Sequence, residues 1–319
     1  MRAGAIGAGG AHLRQAMPLV TLLALMIVIG LVTPEFLTLQ TLLVLASDTA
    51  TLFVMAVGVT FVIMLGGIDL SIQSVASLAS VVVALTLPRF GYAGFVLATL
   101  TGTLAGALAG LAHVKLKIPS FIATLAVGGI AAGTALIISD ARAITMGASE
   151  RAYIGWITGV SLGLPNEVII GALVLAGGLF LQRYTAFGRY SQAIGAGEPA
   201  TFASGVRVDR QKMIACMLSG SFAGLAGVIL AGRLASGSPT LANELLLPAI
   251  AAVIVGGTAI TGGVGSVART LIGALIISVV RIGMTFVGVD IFAQQIVFGI
   301  VLILAVAVTI DRSKIPIVK

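Results

Sequence analysis

About ten apolar runs, separated by proline, glycine or charge, cross the chain at 17–32, 42–65, 70–87, 92–114, 121–138, 168–181, 213–231, 245–260, 271–287 and 291–310. A hydrocarbon crossing takes about 20 apolar residues, with about 17 to 25 tolerated. Lipid supplies no hydrogen-bond partner for bare backbone, so each crossing must be a helix or part of a closed barrel, and runs of this length are helical. The expected fold is therefore all-α, a polytopic transmembrane bundle of about ten spans forming a single domain over 1–319. Composition agrees: 9% of residues are charged, against roughly 25% in an ordinary soluble domain. Arg2 and Arg14 ahead of the run 19–32 resemble a secretory leader. No small-x-small cleavage site follows, because the run ends in Thr33-Pro34-Glu35-Phe36, so it reads as a retained first span.

Orientation follows from where lysine and arginine fall. With a cytoplasmic N-terminus and ten crossings, thirteen of the eighteen basic residues lie on the inside, among them Arg2, Arg14, Lys115, Lys117, Arg183, Arg189, Arg207, Arg210, Lys212 and Arg312. Only Arg89, Arg142, Arg151 and Arg233 fall outside, and Arg281 falls within a span. Both termini are expected in the cytoplasm, with tails at 1–16 and 311–319. The net charge of +7 then reflects membrane orientation and not nucleic-acid binding. The segment 139–167 becomes the longest outer loop and 183–212 the longest inner one. The inner loop has enough Ala, Gln and Glu between Tyr190 and Ser204 for one or two short helices, and bundle connections are usually only 2 to 8 residues. It has room for a docking element.

Gly102, Gly106 and Gly110, at four-residue spacing, form a small-residue face of the kind that lets helix backbones approach closely in lipid. Cys216, the single cysteine, lies in an apolar run and reads as a packing or lipid-facing residue, which leaves no intrachain disulfide and no cysteine-based metal cluster. His12 and His113 have no ligand partners at useful spacing, so no metal is expected. No G-x-x-x-x-G-K-[ST] loop is present, so the chain does not hydrolyse ATP by itself.

Two glycine-interrupted stretches carry the candidate chemistry. In LGGIDLSIQS, residues 65–74, Gly66 and Gly67 should break a helix, and the exposed backbone has to face protein or a water-filled cavity. Asp69 beside that break is either a functional carboxylate at membrane depth or an N-terminal cap for the next helix. In VGGTAITGGVGS, residues 255–266, the pattern recurs. Paired interruptions in two halves of a transporter point to a substrate path, with Gly66, Gly67, Asp69, Ser71, Gln73, Thr258 and Thr261 as candidate lining groups or as helix-packing polar residues. Arg281 contacts substrate or pairs with Asp48 or Asp290.

Four motifs in order carry a family resemblance: VGVTFVIMLGGIDLSIQSVASL, KIPSFIATL at 117–125, AIGAGEPATFASGVRVDRQKMIACMLSGSFAGLAGVI, and AIAAVIVGGTAITGGVGS. Together they resemble the membrane-spanning permease subunit of ribose-type bacterial ABC sugar importers. The resemblance implies an inner-membrane protein that pairs with a second, identical or different, permease. It also implies two cytoplasmic ATP-binding subunits, which hold the ATP and Mg, and a periplasmic solute-binding protein that delivers a monosaccharide or related polyol. The coupling segment of that family maps onto Ala193, Gly195, Ala196, Gly197, Glu198, Ser204 and Gly205. Leu246-Leu247-Pro248 departs from an acidic tripeptide common in relatives, as do the charges at Asp48 and Arg281. The competing function is a proton- or sodium-coupled secondary transporter, for which only Asp48 and Asp69 are available as embedded carboxylates. An intramembrane enzyme lacks a histidine pair, a serine elbow or clustered acids.

Overall fold

Most of the apolar runs fold as helix over their length. The computed structural model describes residues 7–309, with side chains described over 17–290 and 293–306. The tails at 1–6 and 310–319 and the side chains of His12 and Arg14 lie outside the described residues. The helices are α1 (Gly7–Val32), α2 (Leu39–Met64), α3 (Ile72–Phe90), α4 (Ala93–Lys115), α5 (Ser120–Ile138), α6 (Ala148–Thr158), α7 (Asn166–Tyr184), α8 (Ala186–Ala196), α9 (Glu198–Ala203), α10 (Val208–Leu234), α11 (Leu246–Val255), α12 (Val267–Phe286) and α13 (Ile291–Thr309). Among the described residues, seven helices are long and apolar enough to cross a membrane: α2, α3, α4, α5, α7, α10 and α12. Three further apolar stretches, Met17–Val32, Asn243–Val255 and Ala293–Val306, are shorter.

A helix that is apolar all round belongs in the middle of a bundle, and α2 takes that place, buried without interruption from 49 to 65. Two of its buried threonines spend their hydroxyls on its own carbonyls, Thr49 on Leu45 O (2.7 Å) and Thr60 on Ala56 O (2.8 Å), so neither hydroxyl is left bare in the apolar interior. Thr60 also bonds Thr270 of α12 at 2.8 Å. Around α2 stand α10, α12, α7 and α11. The small face of α4 meets α10 backbone to backbone: a side chain at Gly102 or Gly106 would overlap the carbonyls of Gly220 or Cys216. Cys216 is buried in this contact, in keeping with a packing role. The outer sides of α1, α4, α5, α7 and α13 show exposed Leu23, Leu104, Leu125, Leu173 and Ile303, the surface lipid would cover.

Two expectations need correction. The eighth run was expected to stay apolar helix through 260, yet α11 stops at Val255 because Gly256-Gly257 turns the chain, with Gly257 at φ +89°. The segment 139–167 is not a simple loop. It holds α6 and two short antiparallel ladders, Ile144–Thr145 with Ser236–Gly237 and Val160–Ser161 with Leu164–Pro165. The inner segment carries two helices, α8 and α9, divided at Gly197.

Candidate functional site

The first helix break is built by hydroxyls from α5. At the end of α2 the Gly66 N–H donates to Ile63 O (2.8 Å) and the Gly67 N–H to Val62 O (3.0 Å). Gly66 is left-handed, φ +81°, the conformation that closes a helix most cheaply without a side chain. The chain then runs non-helically from 68 to 71, where its amides need partners outside a helix. Ser120 Oγ accepts from the Ile68 N–H (3.0 Å), and Thr124 Oγ1 accepts from the Leu70 N–H (3.1 Å) while donating to Ile68 O (3.3 Å). Asp69, 2% exposed, accepts through Oδ1 from the Ser71 N–H (2.8 Å) and Ser71 Oγ (2.6 Å). Asp69 is not the N-cap of α3, which is Ser71 and makes no side-chain cap bond; its carboxylate instead holds Ser71 just ahead of the helix. Ser71 is buried and its hydroxyl is committed to Asp69, whereas Gln73 is half-buried.

The second break is built by an amide from α7. After Val255, the Gly257 N–H donates to Ile254 O (2.8 Å) and the Ala259 N–H to Val264 O (2.9 Å). At the far end Gln182 bridges the break: its Nε2 donates to Gly265 O (2.8 Å) and its Oε1 accepts from the Val267 N–H (2.9 Å). Ser266 Oγ caps α12 by accepting from the Arg269 N–H (3.4 Å). Thr258 is fully buried with its hydroxyl unpartnered, and Thr261 is exposed.

Both breaks meet, and they meet on the coupling segment. The Gly263 N–H donates to Met64 O at 2.9 Å. Gly195 of α8 is pressed onto that same bond: a Cβ there would overlap Met64 O and Gly263 N, so only glycine fits. Gly262 lies equally close to Gly66. Of the expected path residues, Gly66 and the Thr261 carbonyl lie at this junction, whereas Asp69, Ser71 and Gln73 follow it toward α5 and α3.

The rest of the coupling segment is arranged around Gly197. Thr201 Oγ1 donates to Ala193 O at 2.8 Å, folding α9 back on α8. Glu198, half exposed, pairs with Lys212 of α10 at 2.8 Å. Ala196, Ser204 and Gly205 are exposed, and Gly205 turns the chain with φ +82°. Phe202 on α9 is 69% exposed, an unusual position for a large ring outside the apolar girdle. A cavity of about 100 Å³ lies beside the junction, walled by Gly66, Gly67, His113, Ser120, Glu198 and Lys212. His113 Nδ1 lies 2.7 Å from Ile118 O, across the turn between α4 and α5.

At the other end of α2 the charges gather. Arg281 pairs with Asp48 Oδ2. Arg233 pairs with Asp48 Oδ1 at 2.5 Å and approaches buried Glu167 at 4.0 Å. Two carboxylates and two guanidiniums thus join α2, α7, α10 and α12. Of the roles open to Arg281, an ion pair with Asp48 is formed.

Sequence reasoning missed Ser120, Thr124 and Gln182. The two hydroxyls stand inside the quoted KIPSFIATL motif, so their signal was present without a role. Gln182 has a weaker signal, a lone amide in the last turn of an apolar helix.

The model of the family described as "Branched-chain amino acid transport system / permease component" matches residues 41–306. The chain is 36% identical over 303 residues to a ribose import permease protein of Haemophilus influenzae, covering 93% of each chain. It is 37% identical over 308 residues to the ribose import permease protein of Bacillus subtilis, covering 93% of this chain and 92% of that one. A xylose transport system permease protein of Escherichia coli is 32% identical over 324 residues, with 82% of each chain covered. No solved structure matches.

Proposed function

From the premise that this chain belongs to the branched-chain amino acid transport system permease family, we propose that the solute it passes is ribose or a closely related pentose. It is the permease subunit of a bacterial ABC importer for monosaccharides, a multi-pass protein of the inner membrane, and its role is transport and not catalysis. Ribose and xylose, the sugars in the relatives' names, both have five carbons, and the hydroxyls and amides near the breaks suit a polyol. In this proposal Gly66, Gly67, Asp69, Ser71, Gln73, Thr258 and Thr261 border the path, with Asp69 holding Ser71 in place.

The one observation that carries the mechanism is the contact of Gly195 with Met64 and Gly263. Two ATPase subunits, holding the ATP and Mg, dock on α8 and α9, and their closure moves the segment from Ala193 to Gly205. A displacement of Gly195 then reaches both helix breaks directly, because interdigitated backbone has discrete arrangements and does not deform smoothly. Phe202 supplies an exposed aromatic anchor of the kind that dominates interface energetics. A second permease, same or different, completes the path, and a periplasmic binding protein delivers the sugar. The ten apolar helical stretches fit ten crossings with both termini in the cytoplasm, an arrangement that places thirteen of the eighteen basic residues, those of 183–212 among them, on the inner side. The ion-coupled alternative gains no support: Asp69 is engaged by Ser71 and Asp48 by two arginines at the opposite end of α2.

The test is gentle solubilisation of C-terminally tagged protein from its native membrane. A phosphate-loop ATPase is expected to co-purify in about equal amount. Phe202→Ala together with Glu198→Gln should release it while the permease stays folded. Ribose uptake by the chain without any ATPase would defeat the proposal.

A further inference from the structure

We infer that Gln182 is a positioning residue that fastens the second helix break to the coupling segment, so that both breaks move with α7 and α8 as one lever; this rests on the ABC-permease reading above. Gln182 is 8% exposed and sits in the last turn of α7, three residues before Thr185, which caps α8. Its amide is used at both ends on one target, donating to Gly265 O and accepting from the Val267 N–H, and its Nε2 lies 3.9 Å from Met64 Sδ. The turn from α7 into α8 is tight: Thr185 Oγ1 donates to Leu181 O (2.6 Å), and a side chain at Gly188 would overlap the Gln182 carbonyl. The direction in which the coupling segment leaves α7 is thereby set relative to Gln182.

Two attachments follow. The 265–267 end of the break is held by Gln182 and its 262–263 corner by Gly195. The first break joins through the bond from the Gly263 N–H to Met64 O. An apolar side chain of the same volume would fill the space left by Gln182 but strand a carbonyl and an N–H in an apolar interior, where such groups are costly. A residue needed for packing alone would not require an amide at this position. What the amide adds is a fixed register between α7 and the loop, and a ring whose members shift together is how a small input becomes a discrete switch.

The test uses the intact complex with its ATPase subunits and binding protein, reconstituted in vesicles, and reads sugar moved per ATP hydrolysed. Gln182→Met should assemble with the ATPase and hydrolyse ATP, yet move about ten-fold less sugar per ATP, within the span of typical coupling energies. Thr103→Val, which breaks the bond to Ser221 between α4 and α10, away from both breaks, should lower thermal stability and leave the ratio unchanged. A Gln182→Met complex whose transport and hydrolysis fall in step, with the ratio intact, overturns the proposal. Should that variant fail to assemble, amide hydrogen exchange on the wild-type complex decides. Trapping the closed ATPase is expected to change protection at 193–197 and at 256–267 together. Change at 193–197 alone overturns the proposal. Failure of the permease reading looks different, since wild-type chain would then purify without an ATPase before any variant was made.

Discussion

The two ends of α2 are held by different physics. At its C-terminal end, Met64 joins a junction made of backbone and neutral side chains: Gly263, Gly195, and the clamps Ser120, Thr124 and Gln182. Toward its N-terminal end, Asp48 holds Arg233 and Arg281, with Glu167 beside them. Neutral hydrogen bonds each contribute about 1 kcal/mol net and can be exchanged one for another. A semi-buried ion cluster is costly to leave half-broken. The glycine end is therefore suited to rearrange during a transport cycle, and the charged end to keep four helices together while it does.

The sharpest way to break this contrast is Asp48→Ala. Removing one partner of a fully buried pair costs about 3–5 kcal/mol, and because the arginines here keep some solvent, about 3 kcal/mol is expected. Thermal unfolding in detergent would show it as the largest drop of the set, and removing Arg281 as well should recover part of the loss. An unchanged midpoint would mean that the charged end is not the fastener.

Next comes Gly195→Ala, where the new methyl group meets backbone that has no flexible end to move aside. Overpacking of this kind costs about 2 kcal/mol, and sugar uptake should be lost along with it. A variant that transports normally would separate the junction from the mechanism. The smallest effects are expected from Ser120→Ala and Thr124→Val, about 1 kcal/mol each, because each leaves one amide of the 68–71 segment without its partner. Faster hydrogen exchange at Ile68 and Leu70, with the rest of the bundle unaffected, would localise the loss to the first break.

Much of this was legible in the residues. Most of the apolar runs became helices over their length, and the 102–106–110 stripe met α10 as its spacing implied, because close backbone approach is encoded by the absence of side chains. The short helices of the coupling segment followed from its glycines and its alanine content. Less legible was the stop of α11 at Val255, where Ile254, Val255 and Ile260 read as one apolar stretch across a Gly-Gly-Thr turn. The helix in 139–167 was hidden for a related reason: α6 has only eleven residues, too few for a span, and only Ile154 and Ile157 are buried.

Apolar length was enough to establish a helical membrane protein, since it is a local property summed along the chain. The partners of the polar groups are not local. Nothing in one dimension says that Gln182 reaches Gly265, that Arg281 pairs with Asp48, or that Gly195 rests on the bond between residues 64 and 263. Those contacts join residues 68 to 233 positions apart, and a hydrogen bond or ion pair depends on distances of a few tenths of an ångström that only the packed bundle sets.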